Sequence, residues 1–422
     1  MMIKQVVKQA VGSLKENPLV SVVSILGTAL SIAMIMVVVV LFQIKLVGYS
    51  PESARSRLLY VYGTLSQKLD GRGSNNGKAS ARVINECYYG MHTPEAVTAS
   101  AYEVLPVSLP GKRLFEEYEI LYTDPGFWKV FDFTFIAGHP FTEADFRSAL
   151  PVAVVSDRLA ALFFGQEEAI GKEIVIDYVN YQVVGVVKAV SKAATDAYAD
   201  MWIPYTTSSA CMSRGVNEGV SGPFQIVMLA HSSADFEAIR AELDDRIRQF
   251  NVGQKEYSLG FVNNVGPIDR LDIAIGCNGF QRTVTMMDYL LDTGALLLLL
   301  LLVPAFNLVS VIQSSVQKRS GEFGVRRAFG SSRSKLMAQV LSENMVVTLL
   351  GGVLGLLLSV AFLHLGKAVL LNGSDVALDA SMILKPIFFI SALCFSVLLN
   401  TLSAFIPAWR ASKKVIVDAL NN

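Results

Sequence analysis

The 422-residue sequence lacks the motifs that would allow it to act on nucleotides or esters by itself. No G-x-x-x-x-G-K-[ST] segment is present, so a Walker A loop that cradles nucleotide phosphates is excluded. No G-x-S-x-G nucleophile elbow occurs either. We therefore expect neither an enzymatic activity nor a bound cofactor in this chain.

Cysteine and histidine are also scarce, with four of each in the chain. The histidines are far apart and have no cysteine at metal-ligand spacing, so we expect no metal site. Three cysteines, Cys87, Cys211 and Cys277, fall in the middle of the chain, where at most one disulfide can form among them. The sequence leaves open whether that disulfide exists.

Long apolar runs are the strongest positive signal in the sequence. Hydrophobic residues make up 52% of the chain and the mean hydropathy is +0.44, yet charged residues reach 17%, too many for a chain embedded throughout in lipid. A membrane-spanning helix needs about 20 apolar residues. The runs predict four transmembrane α-helices, at residues 19–44, 286–312, 337–365 and 386–408.

The formal net charge of zero conceals a segregation of charge along the chain. Residues 46–283 hold 21 Lys/Arg and 28 Asp/Glu, against 36 and 36 in the whole sequence, so the flanking parts are basic. The positive-inside rule then places both termini in the cytosol and the acidic middle segment outside. The same rule predicts a short external loop at 366–385 and a cytosolic tail at 409–422.

The first apolar run could instead be the core of a secretory signal peptide. Such a core has about 7 to 15 residues, whereas this run is longer and no small-x-small cleavage site follows it. An uncleaved membrane anchor is therefore favoured. Ahead of it, apolar residues at helical spacing with interleaved lysines predict a cytosolic amphipathic helix over residues 1–18.

The middle segment, 45–285, is long enough for one large or two small domains. Strand-like and helix-like patterns alternate along it, beginning with a strand at 151–156 in which Ser156 is placed to cap the helix 157–164. The fold class predicted is thus four transmembrane α-helices plus a large mixed α+β extracytoplasmic domain inserted between the first and second helices.

Three further patterns occur in the middle segment. Residues 173–187 alternate around Asn180 as a hairpin does, and the stripe from Phe236 to Phe250 predicts an amphipathic helix. Residues 70–78 are rich in glycine and asparagine and are expected to form a flexible loop.

A short loop, residues 313–336, concentrates basic charge and glycine between the second and third apolar runs. Its basic residues face a single acid, which places it in the cytosol, where a soluble partner can act on the adjoining helices. The candidate coupling residues are Arg319, Glu322, Gly324, Arg326, Arg327, Gly330 and Arg333.

A few polar and small residues lie inside the third apolar run. Glu343 sits about two turns into it, where it can pair with a loop cation or face another helix. Gly351 and Gly355 form a small-xxx-small stripe, which permits close approach of helices. Simple tolerance of glycine in membrane helices is the competing explanation.

The sequence resembles the FtsX-like permeases, and among them the MacB type with a large extracytoplasmic core domain. The resemblance rests on the loop motif at 319–333, on Asn307 in the second run, on Glu343 with the glycines that follow it, and on the Pro-Ala-Trp-Arg-Ala segment at 407–411.

This resemblance implies a mechanotransmitter in the bacterial cytoplasmic membrane. Such a permease works as a homodimer or heterodimer and converts ATP binding and hydrolysis by an ABC-type ATPase into motion of the extracytoplasmic domain. ATP is then used by the partner, the surroundings are membrane lipid, and no nucleic acid is expected. The resemblance also implies an inserted lobe at about 131–205, and helix packing through Asn307, Glu343, Gly351 and Gly355.

The sequence departs from the MacB type in one respect. That type often carries its ATPase at the N-terminus, whereas this chain begins with the membrane portion, so the ATPase is expected on a separate chain. The alternative function is a non-transporting FtsX-like regulator of a cell-envelope hydrolase, or a signalling membrane protein. The outside segment, at about 240 residues, favours transport or extrusion. The substrate stays open.

Overall fold

The computed structural model describes most of the core of the chain and part of its helices. The described residues are 18–112, 115–213, 215–262, 265–279, 285–291, 294–295, 321, 325, 329–370, 390, 393–394, 397–398 and 401. The predicted helix at 1–18, except Pro18, and the predicted tail at 409–422 lie outside them. So do most of the predicted spans at 286–312 and 386–408 and most of the external loop at 366–385.

The chain divides into two compact units. The helical unit comprises residues 1–43 and 287–422, and the core domain comprises residues 44–286. Helix α1 (Pro18–Leu46) has no charged residue before Lys45, and its last residues belong to the core domain. Among the described residues, one helix is long and apolar enough to cross a membrane, over Ile25–Leu46.

The strands of the core domain are short, apart from the long β4. Their bounds in chain order are β1 (Leu58–Val61), β2 (Thr64–Lys68), β3 (Ser74–Ala79), β4 (Ala96–Ser108), β5 (Glu116–Thr123), β6 (Phe135–Gly138), β7 (Val152–Ser156), β8 (Glu173–Ile176), β9 (Val179–Val187), β10 (Met201–Pro204), β11 (Ser221–Gly222), β12 (Gln225–Leu229) and β13 (Tyr257–Gly260).

Two sheets are built from these strands. The larger has nine strands in the order β1-β12-β4-β5-β10-β7-β9-β6, with β8 pairing to β4 and β9. It is mixed, because β10 runs parallel to β5 and β7 runs parallel to β9, while its other pairs are antiparallel. The strands of the predicted lobe at 131–205 are therefore part of the same sheet as β4 and β5. The smaller sheet has the order β11-β3-β2-β13.

The helices of the core domain are mostly single turns placed between strands. Their bounds are α2 (Ala81–Val83, continued by a π turn over Ile84–Tyr88), α3 (Phe127–Val130), α4 (Glu143–Arg147), α5 (Asp157–Phe164), α6 (Ser209–Met212), α7 (Phe236–Val252) and α8 (Arg270–Ala274), with 3-10 turns at Arg55–Arg57, Tyr205–Thr207 and Ser233–Asp235. In the helical unit, α9 (Arg333–Leu370) extends beyond the predicted span at 337–365 at both ends.

Two sequence predictions about helices are confirmed. The Ser156 hydroxyl accepts a hydrogen bond from the Leu159 N–H at 3.3 Å, which caps α5, and Gly165 ends that helix with a φ of +65°. All the apolar residues of the predicted stripe on α7 are buried, because that face packs into the core. The stripe is Phe236, Ile239, Leu243, Ile247 and Phe250.

Two other predictions were wrong in detail. The β8–β9 hairpin turns at Asp177 and Tyr178, which both have positive φ, and Asn180 lies inside β9 opposite Val175. The left-handed turn uses no glycine, so its usual signal is missing from the sequence. Residues 74–78 were predicted as a loop but belong to β3, which pairs with β2. The side chains of β3 are largely exposed, so its sequence lacks the apolar pattern of a strand.

Candidate functional site

Small residues bring α1 and α9 into close contact within the helical unit. A Cβ added at Gly351 would lie 2.8 Å from the Thr28 Cβ, and one added at Gly355 would lie 2.7 Å from the Ala29 carbonyl oxygen. Thr28 and Ala29 are both buried. The structure thus places the predicted glycine stripe where the two helices touch, and the glycines leave no room for a side chain there.

Near the end of the basic loop, a backbone hydrogen bond precedes a glycine with positive φ. The Phe329 N–H donates to the Val325 carbonyl at 3.1 Å, and Gly330 then takes a φ of +89°, a conformation that other residues rarely adopt. Helix α9 begins at Arg333. Phe329 is 88% exposed and Val325 is 45% exposed. Sequence reasoning did not name either residue among the candidate coupling residues, although an aromatic side chain near Arg326 and Arg327 was a usable signal.

The other predicted site residues lie partly or wholly outside the described residues. The backbones of Arg333 and Glu343 lie in α9, but their side chains are outside the described part. The remainder lie wholly outside the described residues: Asn307, Arg319, Glu322, Gly324, Arg326 and Arg327.

A group of buried charged side chains surrounds the end of α1 inside the core domain. Arg55 is fully buried, and a guanidinium has five N–H donors. The structure supplies an acceptor for each of them. Arg55 Nε bonds to Glu52 Oε2 at 2.6 Å, Nη1 to the carbonyls of Ile44 and Val47 at 2.7 and 3.1 Å, and Nη2 to the Tyr49 hydroxyl and the Ala193 carbonyl at 2.7 and 3.0 Å.

A second buried pair completes this group. Arg270 Nη1 lies 3.5 Å from Asp196 Oδ2, and Arg270 Nε donates to the Lys45 carbonyl at 2.5 Å. The Tyr62 hydroxyl donates to Asp196 Oδ1 at 2.7 Å. The backbone N–H of Asp196 donates to Glu52 Oε1 at 3.0 Å, which joins the two pairs. We call Glu52, Arg55, Asp196 and Arg270 the ion cluster.

The ion cluster has two acids and two bases, so it carries no net charge when all four are ionised. The pKa of Asp196 is raised to about 6, chiefly by burial and also by the Glu52 carboxylate, while Arg270, the Tyr62 hydroxyl and Arg55 oppose the rise. Burial likewise raises the pKa of Tyr49 to about 12. The Arg55 guanidinium also lies 4.1 Å from the centre of the Tyr49 ring.

Sequence reasoning missed the ion cluster because its members are far apart along the chain. Glu52 and Arg55 sit in a polar segment that looks like a solvated loop, and the ordinary expectation for such charges is exposure. Their spacing of three residues was the one local signal. Nothing local linked them to Asp196 or Arg270.

The open question about a disulfide is answered for the described residues. Cys87, Cys211 and Cys277 are all buried, and no disulfide joins them. Burial raises the pKa of the Cys87 thiol to about 12, which keeps it protonated at neutral pH.

The two units together define a class of membrane protein in which an α/β domain is inserted after a first apolar helix. Residues 21–246 match the family described as MacB-like periplasmic core domain, and residues 294–416 match the FtsX-like permease C-terminal family. The first match alone covers more than half of the chain. The chain belongs to the FtsX/MacB-type permeases.

Curated relatives agree with this assignment. The pyoverdine export ATP-binding/permease protein PvdT of Pseudomonas syringae pv. syringae is 26% identical over 302 residues, which cover 71% of this chain and 42% of PvdT. The macrolide export ATP-binding/permease protein MacB of Syntrophobacter fumaroxidans is 25% identical over 469 aligned positions, covering 97% of this chain and 62% of that protein. This chain therefore spans about two fifths of the length of PvdT.

Solved structures with similar folds include two extracytoplasmic regions. The extracellular domain of the transporter YknZ from Gram-positive bacteria matches with 17% identity and a TM-score of 0.36, covering 47% of this chain and 98% of that one. The periplasmic region of MacB from Actinobacillus actinomycetemcomitans matches with 15% identity and a TM-score of 0.33, covering 50% and 90%. At these TM-scores the likeness adds nothing to the family assignment.

Proposed function

We propose that this chain is the permease subunit of an ABC-type transport or extrusion system and couples ATP binding and hydrolysis to motion of its core domain. The observation that carries the proposal is the match of both parts of the chain to permease families. PvdT and MacB are named as export ATP-binding/permease proteins. Because no Walker A segment occurs in these 422 residues, we assign the ATP-binding function to an ABC-type ATPase partner.

The proposal includes a topology. Four helices span the bacterial cytoplasmic membrane at 19–44, 286–312, 337–365 and 386–408, both termini are cytosolic, and the core domain is extracytoplasmic. Charge segregation along the sequence supports this arrangement. The length of α9, 38 residues, exceeds what a single span needs.

The loop at 313–336 is the proposed docking element for the ATPase. Arg326 and Arg327 offer charge-assisted hydrogen bonds to acids of the partner. Val325 and Phe329, which flank these arginines in the sequence, are exposed and provide an apolar anchor. An aromatic anchor flanked by arginines is a common composition for the centre of a protein interface.

The proposed function is tested by isolating the full chain from its own membranes. A tagged chain, expressed at native level and purified in mild detergent, should retain an ATPase that carries a Walker A motif, as identified by mass spectrometry, and the complex should hydrolyse ATP. A permease of this class works as a dimer, so two copies of the chain, or one copy and a related permease, are expected in the complex.

Two results of that purification would change the conclusion. Recovery of the chain without any ATPase, in several detergents and with ATP present, would contradict the transporter proposal. Recovery of the ATPase together with a cell-envelope hydrolase whose activity depends on ATP would favour the regulatory alternative.

A further inference from the structure

We propose that the ion cluster is the joint through which the membrane helices move the core domain, with Arg55 and Arg270 as positioning residues for the end of α1. The inference deepens the proposed function and rests on it, because a joint has a role only if ATP-driven motion passes from the helices to the core domain.

The position of the ion cluster in the chain is the first support. Its hydrogen bonds join residues 44–47, where the chain enters the core domain, to α8, which precedes the exit of the chain from that domain at Met286. They also include Asp196, in the connection between β9 and β10 of the large sheet. The entry of the chain into the domain, α8 and the connection between β9 and β10 are thus joined at one place.

The chemistry of a helix end is the second support. The last carbonyls of a helix have no partner within it and form the negative end of its dipole. In α1 two of these carbonyls, at Ile44 and Lys45, accept hydrogen bonds from buried guanidiniums, and the next carbonyl beyond the helix, at Val47, does the same. The two arginines come from outside the helix, so the end of α1 is held by the body of the domain.

The burial of the ion cluster makes this attachment stiff. The Glu52 and Arg55 side chains are both fully buried, and loss of either would leave an uncompensated buried charge, which is strongly unfavourable. The backbone beside the ion cluster is also closely packed, because a Cβ added at Gly48 would lie 2.1 Å from the Ser53 carbonyl oxygen. A partly detached state of the joint is therefore disfavoured, and a displacement of residues 44–47 has to carry the rest of the core domain with it.

Conservative substitutions separate positioning from simple stability. Arg270→Lys keeps the positive charge beside Asp196 and removes the Nε donor to the Lys45 carbonyl. Arg55→Lys keeps the charge beside Glu52 but leaves three donors for five acceptors. Arg57→Lys is the matched control, because Arg57 lies two residues away, in the same 3-10 turn, and its ion pair with Glu95 is exposed.

The experiment is hydrogen exchange measured by mass spectrometry on the full-length protein in complex with its ATPase, with and without ATP and vanadate. In the wild type and in Arg57→Lys, nucleotide should change exchange both in α1 and α9 and in core-domain strands such as β4 and β12. In Arg270→Lys, exchange at residues 45–49 should rise about 10-fold, and the nucleotide-dependent change should persist in the helices but disappear from those strands.

The outcomes distinguish the joint from the proposed function. A nucleotide-dependent change in the strands of both lysine variants equal to that of the wild type would overturn the joint while leaving the transporter intact. The absence of any nucleotide-dependent change in the wild type would contradict the proposed function itself. If Arg55→Lys fails to fold, Arg270→Lys decides the result, since its charge pair is retained. Thermal unfolding of each variant identifies a general loss of stability, which would alter exchange throughout the domain and not only at the joint.

Discussion

Asp124 is another buried carboxyl of the core domain whose ionisation is costly. It accepts hydrogen bonds from the N–H groups of Ala99 and Phe127 at 2.7 and 3.0 Å and from the Thr98 hydroxyl at 3.0 Å, and the Tyr89 hydroxyl donates to it as well. Burial is the largest influence and raises the pKa of Asp124 to about 6, in spite of these donors. The residue therefore fixes the geometry between β4 and α3 at some cost in stability at neutral pH.

The pH dependence of stability follows from that pKa. Because the folded-state pKa lies above the ordinary value of 3.8, the folded protein binds the proton more tightly than the unfolded chain does. The contribution of Asp124 to the free energy of unfolding is thus greatest below about pH 4 and falls by about 3 kcal/mol as the pH rises past 6. Asp196 acts in the same direction.

Asp124→Asn removes this titration. The quantity to compare is the difference in free energy of unfolding between the wild type and Asp124→Asn, measured by urea unfolding of the detergent-solubilised protein. We expect this difference to decrease by roughly 2 to 3 kcal/mol between pH 4 and pH 7.5. Ser74→Ala, an exposed position in β3 with no titratable side chain, is the control and should show a constant difference. A constant difference for Asp124→Asn as well would contradict the raised pKa.

At the scale of elements, two glycines of α9, Gly352 and Gly355, face different kinds of neighbouring atoms. A Cβ at Gly355 meets the backbone of Ala29, which cannot move without shifting α1. A Cβ at Gly352 meets the Cδ1 atom of Leu393 at 2.7 Å, the far end of a flexible side chain, which can rotate away. Two glycines three residues apart on α9 therefore differ in how much substitution they tolerate.

Gly355→Ala should separate α1 from α9 and lower the stability of the helical unit by about 1 to 3 kcal/mol. The measurement is the midpoint of thermal unfolding in detergent. Gly352→Ala is the matched control and should change that midpoint little, because alanine has the higher helix propensity and Leu393 can yield. Equal losses for the two variants would show that the α1–α9 contact is not the cause.

Local patterns predicted some elements well and others poorly. The α5 cap at Ser156 and the apolar stripe of α7 depend on residues a few positions apart, so the sequence was sufficient for both. The turn at Asp177 and Tyr178 was misplaced because the positive φ angles are imposed by pairing with neighbouring strands, including the bond from the Asp177 N–H to the Pro106 carbonyl. The ion cluster was missed because burial of Glu52 and Arg55 depends on residues more than 130 positions away.

At the scale of the whole molecule, the division between apolar helices and an acidic domain is what the sequence predicts most directly. The compact core domain comprises residues 44–286, and the predicted extracytoplasmic segment comprises residues 45–285. The first apolar run ends, and the second begins, near these boundaries. The order of strands in the large sheet could not be foreseen, because β1 pairs with β12 and β5 with β10 across long stretches of chain.

The proposed topology is testable by labelling introduced cysteines with a membrane-impermeant maleimide. In a Cys394→Ser background, Ser74→Cys on the exposed part of β3 should react in cells with a permeabilised outer envelope. Ser331→Cys, in the proposed cytosolic loop, should react only after lysis. The parent background without either substitution measures labelling of the buried natural cysteines. Labelling of Ser331→Cys in unlysed cells would contradict the assignment of that loop to the cytosol.

The central claim is that the loop at 313–336 couples this permease to an ATPase, and charge reversal of Arg326 and Arg327 tests it most directly. Arg326→Glu with Arg327→Glu removes charge-assisted hydrogen bonds and places like charges opposite acids of the partner, at an expected cost of several kcal/mol in association. Phe329→Ala, tested separately, removes the exposed apolar anchor and should also weaken retention.

The matched control is Arg72→Glu with Lys112→Glu, which makes the same change in net charge at exposed positions of the core domain. The measurement is the amount of ATPase retained per permease on affinity purification, together with the ATP turnover of the complex. The account predicts that the Arg326/Arg327 variant inserts and dimerises as the wild type does but loses both the ATPase and its turnover, while the control keeps them. Equal retention and equal turnover in the charge-reversed variant and the wild type would contradict it.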